Sequence, residues 1–457
     1  MAVTQPHAVR HLTVPLALLC ATAFACQDAP APFVFQAVIV DGDDGNPALG
    51  TDATTLRIGI QEGTLPAQEF EYPITDGAFD AYVEFSAFTA ITRIRVELDG
   101  ETTQLLTAPP AFVPDVSGGV LRVVTAAPLS CERVTFNQME APRAFFGMVQ
   151  SGTFALVAGG TAPTEEQVEY FDALQWESRL FEETVSLSDL GETRAASIDE
   201  GKIVVLPSMT APFIFDMFDP ARRIQTVVLH AGAGPRSALV SIPGVGAMVI
   251  GGEVAGRAQS AVSLIEPDGR VSSLQLSEPR SGPAAAALGE DVLVVGGNLE
   301  GNAEILRGGD RTGQPITGTI DGVREAGLLI GDGESRALWL GGIDADDVVR
   351  LDTLRFDGCP DECASSAGPE WTTARLNPLQ PEGSRLIIGG NDSRLVDEVR
   401  WNDADVEVLP LLQLNVPRAG AGGLVLESGV FIVAGGDDGA SIRDDFEFCV
   451  PATLTPL

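Results

Sequence analysis

Seven arginines stand at nearly regular intervals along this chain: Arg143, Arg194, Arg236, Arg280, Arg324, Arg375 and Arg418. Guanidinium groups grip carboxylates through paired N–H donors. Carboxylates and amides recur between them, at Glu253, Asn298, Asp344, Asp346, Asn391, Asp392, Asp437 and Asp438. The chemistry on offer is recognition of an acidic ligand, or internal pairing of the same charges. Nucleophilic and metal chemistry have less to work with. Of three histidines, His7 and His11 lie near the start and only His230 lies in the body of the chain. A Ser-His-Asp relay would have to use His230, which ends the strand-like run VVLH and reads as an ordinary surface or satisfied histidine. Multi-histidine zinc or copper sites are excluded by count. Paired carboxylates for glycoside chemistry abound in so acidic a chain, but no spacing selects a pair. No catalytic residue, metal or cofactor is assigned.

What must position the arginines is a repeat. A Gly-Gly doublet falls at Gly159-Gly160, Gly251-Gly252, Gly296-Gly297, Gly341-Gly342, Gly389-Gly390 and Gly435-Gly436. Each closes a short apolar run such as DVLVVGG or SRLIIGG. From Gly251 onward the steps are 45, 45, 48 and 46 residues, and the step from Gly159 is 92. The double step predicts a copy that has lost its glycines, and GKIVVLPS, ending at Ser208, has the required strand. An arginine stands 13 to 17 residues ahead of each strand end. After it come a small-residue run (RSGPAAAALG), the strand before the doublet, a polar loop, a third strand (AVSLIEP), the turn Asp268-Gly269 and a fourth strand (RVSSLQL). Four strands per copy at a period in the forties predict a propeller of seven blades. Small residues suit the innermost strands, where blades converge.

The first repeat carries Gly159-Gly160, then Tyr170, then Trp176, while later copies keep the doublet and lose most of the aromatics. On these residues the chain from about 131 to 457 resembles the kelch-repeat family, including its bacterial lipoprotein members. In the kelch layout, the loop entering the first strand and the loop after Gly-Gly share one face. The resemblance therefore implies a face where Arg143, Arg194, Arg236, Arg280, Arg324 and Arg418 alternate with the carboxylates and amides named above. Two readings stay open. Each arginine pairs with a neighbouring blade's loop, or together they form a mouth that recognises a carboxylate-bearing peptide or glycan.

The fold class expected is all-β: a seven-bladed kelch-like β-propeller over 129–457, preceded by a small antiparallel, immunoglobulin-like β-sandwich over 33–128. The sandwich rests on alternating runs such as TTLRIGIQEG and TRIRVELDG, separated by turns. The acidic turn Asp41-Gly42-Asp43-Asp44-Gly45-Asn46 lacks the distal glutamate of a calcium loop and reads as solvated.

Residues 1–25 read as an export signal: Arg10, the apolar run LTVPLALLCATAFA, and small residues ahead of Cys26. Small residues followed by cysteine resemble a bacterial lipoprotein signal, which implies lipidation of Cys26, a linker over 26–32 and an outer-membrane lipoprotein. Of six cysteines, four then remain in the folded body, an even number that suits an oxidising compartment. Cys359 and Cys363, in GCPDECASSAG, read as a local disulfide, with free thiols or half a metal site as alternatives. Cys131 and Cys449 read as the lock on a strand exchange. The last repeat lacks a fourth strand, and CERVTFNQ at the other end supplies one. Counting from each repeat's landmarks puts Cys449 at the place of Ile265 and Cys131 at the place of Asp268, which flank a hairpin turn.

The balance of 64 acidic against 28 basic residues, a net charge of −36, argues against nucleic acid as a partner. It also limits membrane contact to the N-terminal lipid. The function expected is non-catalytic: an exported binding or scaffold protein presenting propeller loops to a protein or glycan. The rival expectation is a carbohydrate-active enzyme, a sugar epimerase or lyase, working with arginines and carboxylates of that face.

Overall fold

The computed structural model describes residues 33 to 451, less short internal stretches, the longest being 86–90, 109–119, 162–167, 181–189, 230–235 and 317–323. The export signal, Cys26, most of the acidic turn at 41–46, Trp176 and His230 lie outside the described residues. Among the described residues there is no helix; the fold is all-β, built of many antiparallel sheets and propeller-like.

Residues 33–124 form two sheets. One has Phe33–Val40 between Ala81–Phe85 and Val120–Val124; the other runs Gln68–Pro73, Thr55–Glu62, Ile91–Asp99, Gln104–Ala108. Alternation along each strand sends one side inward, so Ala37, Ile39 and Val83 of the first sheet share a core with Leu56, Ile58, Ile60, Val96 and Leu98 of the second. The expectation of a wholly antiparallel unit is corrected at one point. Val120–Val124 pairs with Phe33–Val40 in parallel, because the chain returns to that strand after crossing the other sheet rather than by a hairpin.

From Ser130 the chain builds seven antiparallel sheets. Their first strands are Gly147–Ser151, Thr193–Asp199, Ala238–Ile242, Ala284–Leu288, Leu328–Gly331 and, in the seventh, Gly422–Val425; the three-stranded sixth sheet starts instead at Leu386–Ile388, the strand before its doublet. Lys202–Pro207, the run without a doublet, lies between Thr193–Asp199 and Phe213–Asp216. The first strands of sheets one to five lie against one another in order, and Gly422–Val425 lies against Gly147–Ser151. That convergence demands small side chains: a Cβ on Gly147 would stand 2.7 Å from the Cβ of Ala195.

The two ends of this region share a sheet. Ser130–Val134 pairs antiparallel with Phe446–Val450, with Cys131 opposite Cys449 and a disulfide of S–S 2.06 Å between them. In the third sheet Ile265 pairs with Val271, so Cys131 stands three places further along its strand than the count to Asp268 put it. Phe171 of the first sheet stacks on Phe446 of the seventh, ring centroids 4.3 Å apart. Cys359 and Cys363 are also joined, with Cys359 buried in the core shared by the fourth and fifth sheets.

The sixth sheet breaks the pattern. Where the fourth repeat has Ala284–Leu288, the sixth has NPLQPEGS, and Pro378 and Pro381 bring no N–H to a ladder. No innermost strand forms there; Leu379 makes one isolated bridge to Ile388, and the chain from Gln380 to Arg385 departs from the sheet.

Candidate functional site

The arginines divide into two groups. Arg143, Arg280, Arg324, Arg375 and Arg418 are buried, which corrects their placement on an exposed face. Each is held inside its own repeat, not by a neighbouring loop. Nη1 donates to the carbonyl of the first glycine of its doublet: Arg143 to Gly159 at 2.8 Å, Arg280 to Gly296 at 2.7 Å, Arg418 to Gly435 at 2.6 Å, and Arg324 and Arg375 to Gly341 and Gly389 at 3.3 Å. The guanidinium also meets a carboxylate of the third strand or the loop before it. Nε of Arg143, Arg280 and Arg418 lies 2.7, 2.8 and 2.9 Å from Glu169, Glu304 and Glu447. Arg324 pairs with Asp352 and Arg375 with Asp397. The three glutamates also accept the backbone N–H three residues before the arginine, from Glu140, Ser277 and Asn415.

The second glycine of the doublet faces the next repeat. Gly252, Gly297, Gly390 and Gly436 donate N–H to the carbonyls of Arg280, Arg324, Arg418 and Arg143. The last of these joins the seventh repeat to the first. Both glycines of a doublet take positive φ, +71° at Gly296 and +71° at Gly297, and a Cβ on Gly296 would meet the Arg324 carbonyl at 2.5 Å. Glycine is required there on both counts.

Burial lowers the guanidinium pKa of Arg324 and Arg375, each opposed by its aspartate. The ring of Trp339 lies under Arg324, and that of Trp371 lies beside Arg375 while its Nε1 donates to Asp397 at 3.2 Å. In the seventh repeat Asp445 pairs with Arg418 at 3.0 Å and Arg443 at 2.7 Å, and with Arg133. Burial alone would raise the Asp445 pKa; the Arg443 hydrogen bond and the charge of Arg418 outweigh it and hold it far below the usual carboxylate range. A depressed folded pKa contributes stability above the unfolded value of about 4 and loses it as pH falls. Asp445→Asn should therefore cost on the order of 2 kcal/mol at neutral pH, a deficit that shrinks steadily between pH 5 and pH 2. Denaturant midpoints of both proteins across that range check this; a constant gap refutes it.

Arg194 and Arg236 form the second group. They do not occupy the equivalent position. Gly160 donates to Gly191, where four other doublets reach an arginine carbonyl, so glycine stands at the arginine's place in the second repeat. Gly282, two residues after Arg280, donates to Arg236 at 2.9 Å, while Ala326 donates in turn to Gly282 at 3.0 Å. These bonds put Arg236 two residues beyond the buried position. Neither is paired with a third-strand carboxylate: Asp216, which ends Phe213–Asp216, accepts the Asp219 N–H, and Arg257–Ile265 has buried Ser263 where the fourth repeat has Glu304. In the third repeat no acid stands eight to twelve residues after Gly251, as one does after the first glycine elsewhere, and in the second the doublet itself is missing; those are the sequence signals that separate the two groups.

Both side chains stand where the first strands begin. Arg194 is exposed, and Nη1 donates to the carbonyl of Ser237, the residue after Arg236. Among the described residues Arg194 makes no ion pair. Desolvation lowers its pKa, Glu192 opposes that, and the charge of Arg236 lowers it further. Solvent reaches the group, yet protein atoms surround it. Arg236, 46% exposed, reaches Glu325 and lies 3.9 Å from Glu253. The loop carboxylates meanwhile shape their own turns. Asp344 accepts N–H groups of Asp346 and Val348, Asp437 that of Gly439, and Asp438 those of Ala440 and Ser441. Asn298 and Asp392 lie outside the described residues.

Between the first strands lies a cavity of about 720 Å³, walled by Ala195, Ala196, Leu239, Ala285 and Ala286 and reached at one side by Gln380–Arg385. Among the described residues no three His, Cys, Asp or Glu side chains cluster as metal ligands. No family model matches the chain and no curated protein matches it. Among solved structures, that of YjhT is similar to it, with 9% identity over 67% of this chain and 95% of that one and a TM-score of 0.42.

Proposed function

We propose that this chain is a non-catalytic binding protein, a seven-bladed kelch-like propeller carried on an immunoglobulin-like sandwich. It is exported, held at the outer membrane by a lipid on Cys26, and takes a carboxylate-bearing ligand, glycan or peptide, at Arg194 and Arg236. The observation that carries the reading is that these two arginines alone escape the glycine–carboxylate grip that buries the other five. Arg194 offers unspent donors in partly desolvated surroundings, where charge-assisted hydrogen bonds are strongest. Arg236 is already shared with Glu325 and Glu253, so it orients the ligand more than it holds it.

The test is binding to an array of acidic glycans and peptides with free C-termini. A carboxylate ligand found there should bind roughly tenfold or more weakly to Arg194→Ala, the loss of one charge-assisted hydrogen bond. Arg236→Ala should lose less, and neither variant should change the unfolding midpoint. Wild-type binding by an Arg194→Ala/Arg236→Ala protein would sink the assignment. Turnover of a bound sugar would favour an enzyme.

A further inference from the structure

The cavity between the first strands has a cation at one end and an anion at the other. Arg194 and Arg236 stand where those strands begin. The opposite end, formed by the turns that follow the strands, is lined by Pro243, Glu290, Asp332 and the sixth-repeat segment Gln380–Arg385. With its own innermost strand dismantled, the sixth repeat sends Glu382 across to the second sheet. There the Ser197 N–H donates to both carboxyl oxygens, at 3.1 and 3.2 Å. Such donation favours the ionised form. Glu382 is exposed and lines the cavity, so a carboxylate with lone pairs still open faces it.

Its neighbours leave that carboxylate its role. Asp332 is taken up by Arg336 at 2.8 Å and by three backbone N–H groups of its own turn, while Glu290 is exposed and adds negative charge. Arg385, on the same segment, is the cation lining this end. The span between Arg194 and Glu382 follows from the register of two neighbouring first strands. Arg194 donates to the Ser237 carbonyl. Ser241, four residues on, donates its hydroxyl to the Ser197 carbonyl at 2.7 Å, at the level of Glu382. At about 3.3 Å per residue, the two charges stand about 13 Å apart along the cavity. An extended peptide reaches about 3.5 Å per residue, and a hydrogen bond at each end adds about 3 Å. Two or three residues cover the gap.

The wall between the charges suits such a chain. Ala285, Ala286 and Ala287 all line the cavity, whereas the face of a sheet would offer alternate residues; the strand therefore presents its edge. Each first strand ends its sheet and is paired along one side only. Backbone donors and acceptors on the other side can meet an extended chain as a further strand would. Alanine methyls leave space for small apolar side chains, and about 720 Å³ is a volume typical of small-ligand sites. We propose that the cavity takes a peptide of two or three small apolar residues with both termini free, its carboxylate on Arg194 and its ammonium on Glu382. This rests on the carboxylate reading of Arg194 and adds a second anchor to it.

Calorimetric titration of the full chain with dialanine and trialanine, each also in N-acetylated and in C-amidated form, tests it. The tighter of the two free peptides should lose roughly tenfold in affinity or more on either modification. Glu382→Gln should weaken that free peptide by a similar factor and bind the acetylated one as the wild type does. Its unfolding midpoint should not move, because the side chain is exposed. Equal affinity for free and acetylated peptide overturns the second anchor, while a loss on amidation alone leaves Arg194 standing as a carboxylate site. A Glu382→Gln protein that weakens both forms alike, or neither, also overturns it. If no peptide binds at millimolar concentration, the cavity does not take this ligand, and the array decides Arg194 separately.

Discussion

Replacing Arg280 by alanine should lower folding stability by about 4 kcal/mol, the largest effect expected of any single charge in this protein. Arg280 and Glu304 are both fully buried, and the arginine also holds the carbonyls of Gly296 and Asn302. Without the guanidinium, Glu304 is left as a buried carboxylate facing two unsatisfied carbonyls. Removing one partner of such a pair costs far more than the pair contributes, because the residual charge cannot return to water. Arg280→Met/Glu304→Leu should therefore recover much of the loss, by strong coupling between the two sites. Arg194→Ala, at an exposed position, should stay within about 0.5 kcal/mol of wild type. Guanidinium denaturation of the four proteins decides the matter. If Arg280→Ala unfolds no earlier than Arg194→Ala, the glycine–carboxylate grip is not what holds the repeat.

Breaking the Cys131–Cys449 bond should be comparably severe. It closes a loop with a sequence separation of 318, for which chain-entropy models give about 5 kcal/mol of stabilisation before strain. The bond also clamps Ser130–Val134 onto Phe446–Val450, where the two ends of the repeat array meet. Without it the first and seventh sheets keep the Phe171–Phe446 stack and the Gly436–Arg143 hydrogen bond, so the array should still fold. Its ends should open first. Cys131→Ala/Cys449→Ala should show an earlier unfolding midpoint and rapid hydrogen exchange confined to 130–134 and 446–450. Loss of less than about 1 kcal/mol, on the scale of a surface change, would show that packing alone closes the array.

The sequence by itself determined the all-β class and the four-strand cadence, because both are written locally. A strand declares itself by apolar runs of four or five residues, and a turn by glycine at positive φ, as at Gly269 and Gly296. A period in the forties then needs no knowledge of contacts. The arginines were visible too, but not their direction. Whether a guanidinium faces ligand or core depends on a carboxylate that the fold delivers from another strand: Glu169 to Arg143, Glu304 to Arg280, Asp397 to Arg375. Seen as a string, Arg194 and Arg280 look alike, and a spacing of 13 to 17 residues is loose enough to hide a shift of two or more places. The sixth repeat shows the same limit. Pro378 and Pro381 announce a broken strand, yet the freed segment meets the Ser197 N–H through Glu382, four repeats earlier in the chain. Local geometry is set by each residue's own torsions and neighbours, so sequence carries it. Burial and charge pairing are set by which distant groups arrive, and only the folded chain brings those together.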